Sequence, residues 1–194
     1  MIRDIFSVGI SIFELTNLNN NEITEYAKTK SEKNQTYVSS NGHKNVGKEN
    51  KDILSNVIFK SLNEVVLEKM NEYYSSIYND NFKIKLDEAW SNKGGDKYTT
   101  VPHSHNNSII SAVYYPQSTE GEILFLNPGV SMTNNQNADM IDTHNKYTSE
   151  YYIFPARTGN LIIFNSILQH MVRCKTDERI SIAYNGITEK AWWK

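Results

Sequence analysis

Three histidines and one arginine carry the spacing in this chain that is best suited to chemistry. His103 and His105 flank a single residue in Pro102-His103-Ser104-His105. A strand presents alternate side chains on one face, so both imidazoles can reach one metal ion. A third imidazole, His170, lies 65 residues after His105, beyond the apolar run Leu161-Ile162-Ile163-Phe164. Arg179 follows nine residues later, where a hairpin partner can return it to the same site. Three protein ligands with open positions suit a catalytic divalent iron better than a closed structural zinc, and a guanidinium fork suits the carboxylate of a bound acid. Arg179 and Ser181 also share a strand face, offering a charged two-pronged donor and a hydroxyl together.

Other polar clusters read as ordinary surface. Asp142-Thr143-His144 has ligand spacing but lies in a polar stretch, where solvated side chains are expected, and His43 has no companion ligand. Arg173, Asp177 and Glu178 crowd a turn before Arg179, which suggests surface pairing. Cys174 is the single cysteine, so no disulfide forms within the chain; a small buried hydrophobe made in a reducing compartment is the expectation.

Composition narrows the classes. At 194 residues, 39% apolar and 11% aromatic, the chain is long enough for one packed core and requires no disorder. A formal net charge of -2 leaves no electrostatic footprint for duplex nucleic acid, and Lys28, Lys30 and Lys33 read as a solvated helix face. The segment Met1 to Leu15 carries Asp4 and Glu14 and lacks the continuous apolar core of a signal peptide. No run approaches the roughly 18 apolar residues of a spanning helix. A cytoplasmic protein is expected; the oligomeric state is left open.

The elements that must position these residues follow from periodicity. Ile5 to Phe13 contains a period-two stretch and predicts a strand, followed by the Asn-rich turn 17–21 and a short helix from Glu22 to Lys30. Ser39-Ser40-Asn41-Gly42 predicts a turn. Apolar residues from Ile53 through Leu62, Val66, Met70 and Tyr74 to Ile77 recur at helical spacing, predicting one long helix that buttresses a sheet. From Phe82 onward short runs alternate with turns: Phe82 to Trp90, Tyr98 to Pro102, Ser108 to Tyr115, Glu122 to Leu126, Tyr151 to Phe154, Asn160 to Phe164 and Arg179 to Ile187. Such a series predicts a sandwich or barrel. The polar interruption from Asn127 to Glu150 is too long for a simple hairpin and reads as a lid or binding loop carrying Asp139, Asp142 and His144.

These residues resemble the iron(II)- and 2-oxoglutarate-dependent dioxygenases, and within them a small, largely uncharacterised group of bacteria and their phages. The matching pieces are Ile5-Phe6, Ser40-Asn41-Gly42, Trp90-Ser91-Asn92, Pro102 to His105, Ser111 to Tyr115, Asn127-Pro128, Pro155 with Gly159, and His170 through Asn185. The resemblance spans the whole chain, specific in its second half and loose in its first. It implies a mainly β fold with buttressing α-helices: a double-stranded β-helix, jelly-roll or cupin-like, with residues 1–194 as one domain, 1–80 buttressing and 82–188 forming the jelly roll.

The resemblance also implies His103 and His170 as iron ligands, with His105 standing where most relatives place a carboxylate. The third ligand is then His105, a carboxylate such as Asp139 or Asp142, or water; His105 is preferred. Arg179 and Ser181 match the pair that holds the distal carboxylate of 2-oxoglutarate, with Tyr114 or Tyr115 adding a phenol. The implied reaction consumes O2 and 2-oxoglutarate, releases succinate and carbon dioxide, and hydroxylates a substrate carbon. A peptide or protein side chain is a candidate substrate because superfamily relatives include prolyl hydroxylases. Two rivals stand beside this expectation: a three-histidine cupin dioxygenase that works without 2-oxoglutarate, and a non-catalytic jelly-roll binding protein.

Overall fold

The computed structural model describes residues 7–33, 37–39, 43–45, 52–78, 82–94, 99–129, 145–174 and 179–189. Two helices pack on one face of a large antiparallel sheet, and a small sheet covers part of its other face. The large sheet has the order β1 (Ile10–Glu14), β8 (Asn160–Asn165), β5 (Ile110–Gln117), β10 (Arg179–Thr188), β4 (Ile84–Gly94), β3 (His43–Asn45), β2 (Tyr37–Ser39). The small sheet has the order β7 (Tyr151–Pro155), β6 (Gly121–Leu126), β9 (His170–Cys174). This is the double-stranded β-helix, mainly β with buttressing helices.

Alternation along the strands sorts side chains into two cores. On one face, Ile110, Ala112 and Tyr114 of β5, Leu161 and Ile163 of β8, and Ile180, Ile182 and Tyr184 of β10 meet the helices. Helix α1 (Asn20–Lys33) contributes Ile23 and Ala27, and α2 (Lys60–Ile77) contributes Leu62, Val66, Met70, Tyr73 and Tyr74. On the other face Val113, Tyr115, Ile162 and Phe164 meet Ile123, Phe125 and Leu168 between the sheets. β10 is buried along its whole length. Truncating a side chain such as Leu62 to Ala costs about 2–5 kcal/mol.

Three local expectations change. The helix predicted from Ile53 begins at Lys60: residues 52–55 form a turn, the Asn56 side chain accepts from the Ile58 N–H at 3.0 Å, and Val57–Phe59 is a short 3-10 turn. An Asn side chain that caps the backbone competes with helix, so the helix starts later than the apolar period alone suggests. The first strand begins at Ile10, with 7–9 outside it. The strand predicted from Tyr98 to Pro102 is reduced to isolated bridges at Thr99 and His103, since Pro102 has no N–H to donate. Among the described residues no helix is long and apolar enough to cross a membrane.

Candidate metal and anion site

His103 and His170 are brought together by a bridge that the sequence does not announce. The His103 N–H donates to the His170 carbonyl at 3.0 Å and the reverse bond is 2.9 Å. β9, a strand sequence periodicity did not mark, thus supplies His170 and holds His103 opposite it. His105 is not on a continuous strand with His103; its N–H donates to the Ser166 carbonyl at 2.8 Å, in the loop that leads into β9.

The three rings converge. Centroids are 4.4 Å apart for His103 and His170, 5.1 Å for His105 and His170, and 5.4 Å for His103 and His105. One nitrogen from each lies within 4.8 Å of the other two. A divalent ion sits about 2.0–2.1 Å from an imidazole nitrogen, so ligands of one ion lie roughly 3–4 Å apart and a small inward shift closes the set.

Each ring has its Nδ1 engaged by oxygen. Nδ1 of His103 lies 2.9 Å from the Val101 carbonyl, Nδ1 of His170 lies 2.9 Å from the Leu168 carbonyl, and Nδ1 of His105 lies 2.6 Å from Asn185 Oδ1. An oxygen acceptor on Nδ1 fixes the proton there and leaves the Nε2 lone pair for a metal. Burial pushes His170 down to about 3, aided by the neighbouring His103 and opposed by its bond to Leu168. Burial also lowers His105, against the raising effect of Asn185. Both imidazoles are therefore neutral at ordinary pH, the form that ligates. Phe164 and Phe125 pack at 4.7 and 6.2 Å from His170, and Trp90 at 5.5 Å from His105, forming an apolar collar.

The inner face of β10 runs from this cluster to a buried cation. Asn185, Ala183, Ser181 and Arg179 alternate along that face, all buried. Arg179 is 2% exposed, and its terminal nitrogens donate to Tyr115 Oη and Cys174 Sγ, each at a long 3.3 Å. Its Nε has no partner among the described residues. Burial opposes the charge, while the Tyr115 and Cys174 groups offset it and hold Arg179 above its ordinary range. Glycines make the space: a Cβ on Gly121 would meet Arg179 Cδ at 2.9 Å, and one on Gly94 would meet Cys174 Sγ at 2.5 Å. A guanidinium sealed from water with incomplete hydrogen bonding fits an anionic ligand supplied from outside the chain.

The structure resolves the choice between the two tyrosines. Tyr115 faces Arg179, whereas Tyr114 turns to the helices and donates to Asn20 Oδ1 at 2.5 Å, which removes Tyr114 from the anion end. Ser181 lies on the Arg179 face, opposite a bulge in β5 where Ile180 pairs with Gln117 and Ile182 with Tyr114. Asp139, Asp142 and His144 lie outside the described residues. Arg173 pairs with Glu122, its register partner on β6; Asp177 and Glu178 lie outside the described residues.

Sequence reasoning missed a polar row beneath His105. Ser111 Oγ is 3.0 Å from Asn185 Oδ1, 3.1 Å from His105 Nδ1 and 2.9 Å from Ser166 Oγ, while Asn185 Nδ2 donates to Glu88 at 3.3 Å. Strand register aligns this row, since Asn185 pairs with Ser111 on one side and Glu88 on the other. Polar residues on inward positions of apolar strands were the available signal.

Residues 88–185, the segment that carries all these groups, match the family described as "Putative 2OG-Fe(II) oxygenase". Among proteins with curated descriptions, none matches the chain. Solved structures share the fold at low identity. A prolyl hydroxylase from Trichoplax adhaerens, in complex with a hypoxia inducible factor oxygen degradation domain peptide fragment, superposes with a TM-score of 0.60 at 11% identity, over 95% of this chain and 86% of that one. HygX from Streptomyces hygroscopicus, with nickel and 2-oxoglutarate bound, gives 0.60 at 10% identity, over 94% and 84%. A Burkholderia pseudomallei oxidoreductase of the 2OG-Fe(II) oxygenase family gives 0.48 at 14% identity, over 66% of this chain and 55% of that one. With the family match covering half of its length, the chain belongs to the 2OG-Fe(II) oxygenases, enzymes that draw on iron(II) and 2-oxoglutarate.

Proposed function

We propose that this oxygenase hydroxylates a carbon of a peptide or protein side chain, with His103, His105 and His170 holding iron and Arg179, Ser181 and Tyr115 holding the distal carboxylate of 2-oxoglutarate. The observation that carries the reading is the pairing of three oriented imidazoles with a buried, under-satisfied guanidinium on one inner strand face. Iron with 2-oxoglutarate supplies oxygen activation coupled to decarboxylation to succinate. The chain's own work is orientation: neutral imidazoles present Nε2, the guanidinium fork fixes the acid's far end, and the aromatic collar excludes water.

Arg179 favours this reading over a three-histidine dioxygenase that works without 2-oxoglutarate, since such an enzyme has no use for a sealed cation. The peptide proposal has a groove of about 580 Å³ available to it, lined by Gly9, Tyr73, Ile77, Leu126, Ile167 and Gln169; Gln169 is the chain neighbour of His170, but none of the three histidines nor Arg179 lines it. The peptide held by the Trichoplax adhaerens enzyme supports the same class. Residues 1–194 are read as one such domain, working in a reducing, cytoplasmic setting consistent with the single cysteine.

An anaerobic titration with iron(II) and then 2-oxoglutarate, followed by the visible charge-transfer band, tests the site. Absence of the band with both present overturns it. Incubation with a peptide library in air, read by mass for the gain of one oxygen together with succinate, tests the substrate class. Succinate without any modified peptide removes the peptide proposal and keeps the cofactor assignment.

A further inference from the structure

His105 differs from the other two imidazoles in what fixes its proton. His103 and His170 donate to backbone carbonyls, which cannot exchange acceptor for donor. His105 faces the side-chain amide of Asn185, and an amide can turn over, placing NH2 where the oxygen was with little change of shape. Its orientation is therefore decided by its other partners.

Glu88 makes that decision. It is the register partner of Asn185 on β4, and its carboxylate, an acceptor only, lies 3.3 Å from Asn185 Nδ2. The NH2 group is held toward Glu88 and Oδ1 is turned toward His105. An oxygen there can only accept, so Nδ1 carries the proton across the 2.6 Å contact and Nε2 is left bare. Ser111 adds a second donor to the same oxygen at 3.0 Å, with the buried Ser166 hydroxyl 2.9 Å behind it. In the reverse arrangement Asn185 Oδ1 would face the Glu88 carboxylate, acceptor against acceptor.

We infer that Glu88 and Asn185 are positioning residues that select the metal-ligating tautomer of His105, with an exposed carboxylate setting the state of a half-buried ligand through one amide. The inference rests on the reading of His105 as an iron ligand. It also places a carboxylate two hydrogen bonds from the metal, in a chain whose ligand set lacks the carboxylate common in the superfamily.

The test uses the full chain, cobalt(II) titrated without oxygen and read by its visible absorption, and the His105 tautomer read from imidazole nitrogen shifts in the metal-free protein. Glu88 is exposed, so Glu88→Lys is compatible with folding. It sets a donor at position 88, turns the amide, moves the His105 proton to Nε2 and lowers cobalt affinity by about 10–100-fold. Asn185→Asp, whose oxygens both accept, keeps the Nδ1–H tautomer and an affinity at or above the original. The double variant recovers most of the loss, because Asp cannot respond to residue 88. An unchanged tautomer and affinity in Glu88→Lys overturn the inference, as does a double variant no tighter than Glu88→Lys, which would reduce the effect to added charge. His103→Ala and His170→Ala in the same titration separate the two levels: if they bind as tightly as the original chain, the metal site itself is wrong. If they lose cobalt while Glu88→Lys does not, only the tautomer relay is wrong.

Discussion

At one end of the inner face of β10 stand three imidazoles, each with its Nδ1 already engaged; at the other stands Arg179, sealed from solvent, its Nε without a partner among the described residues. Desolvating a neutral ring that keeps a hydrogen bond costs little, so the metal end can be assembled ahead of its ion. Desolvating a cation without an anion is costly, and the cost persists until a carboxylate arrives. On the proposed reading, one end is prepared by the fold and the other is completed by its ligand. Substitution should therefore cost binding at both ends, while stability is unchanged at the metal end and unchanged or raised at the anion end.

The largest effect belongs to the metal end. His170→Ala should abolish iron(II) binding, lowering affinity beyond the measurable range in an anaerobic titration, while circular dichroism stays that of the original fold. His105→Asp should retain iron, because a carboxylate rebuilds the common two-histidine set, whereas His105→Ala should weaken it. Normal affinity in His105→Ala would remove that residue from the ligand set.

At the anion end the signs diverge. Arg179→Met should bind no 2-oxoglutarate and yet melt at or above the temperature of the unliganded chain, since exchanging an unpaired buried charge for an apolar group of similar volume is often neutral or stabilising by about 1–4 kcal/mol. Arg179→Lys keeps the charge but loses the planar fork, and should cost about 1.5–3 kcal/mol in 2-oxoglutarate binding by calorimetry. A destabilised Arg179→Met would show that the guanidinium is satisfied by the chain itself.

The tyrosine pair sharpens the contrast further. Tyr115→Phe should weaken 2-oxoglutarate by about 1 kcal/mol, with little change in iron affinity. Tyr114→Phe should leave 2-oxoglutarate binding untouched and lower unfolding stability by a similar amount, through loss of its bond to Asn20. Smaller still, Gly121→Ala should nudge the flexible Arg179 side chain, weakening 2-oxoglutarate less than Tyr115→Phe does and leaving iron binding as it was.

The parts legible in the sequence share a local signal. The β texture after Phe82 and the apolar period of α2 come from neighbouring residues, and His-x-His with a distant His and Arg is a one-dimensional pattern. What escaped depends on pairing. The face of Tyr115 is set by where β5 lies between β8 and β10, and Glu88 meets Asn185 only because β4 and β10 pair across 97 residues. His103 reaches its place through a bridge to β9, a strand whose residues His170-Met171-Val172-Arg173-Cys174 show no clean alternation. The helix start was misplaced because Asn56 caps the backbone in a segment whose apolar spacing continues across it.

The place of β10 in the sheet bears on how the protein is made. It is the last of the described strands to leave the ribosome, yet it sits between β5 and β4, which are synthesised long before it. Those two strands are not neighbours in the sheet, so their inner edges are satisfied only by the segment that separates them. Arg179 and Asn185 arrive on that same segment, so neither the buried guanidinium nor the amide beside His105 is in place before it. Pairing across so long a stretch of chain is slow. An anion that needs Arg179 can therefore act only once that strand is in, by holding it in place, whereas the three imidazoles all precede it in the chain.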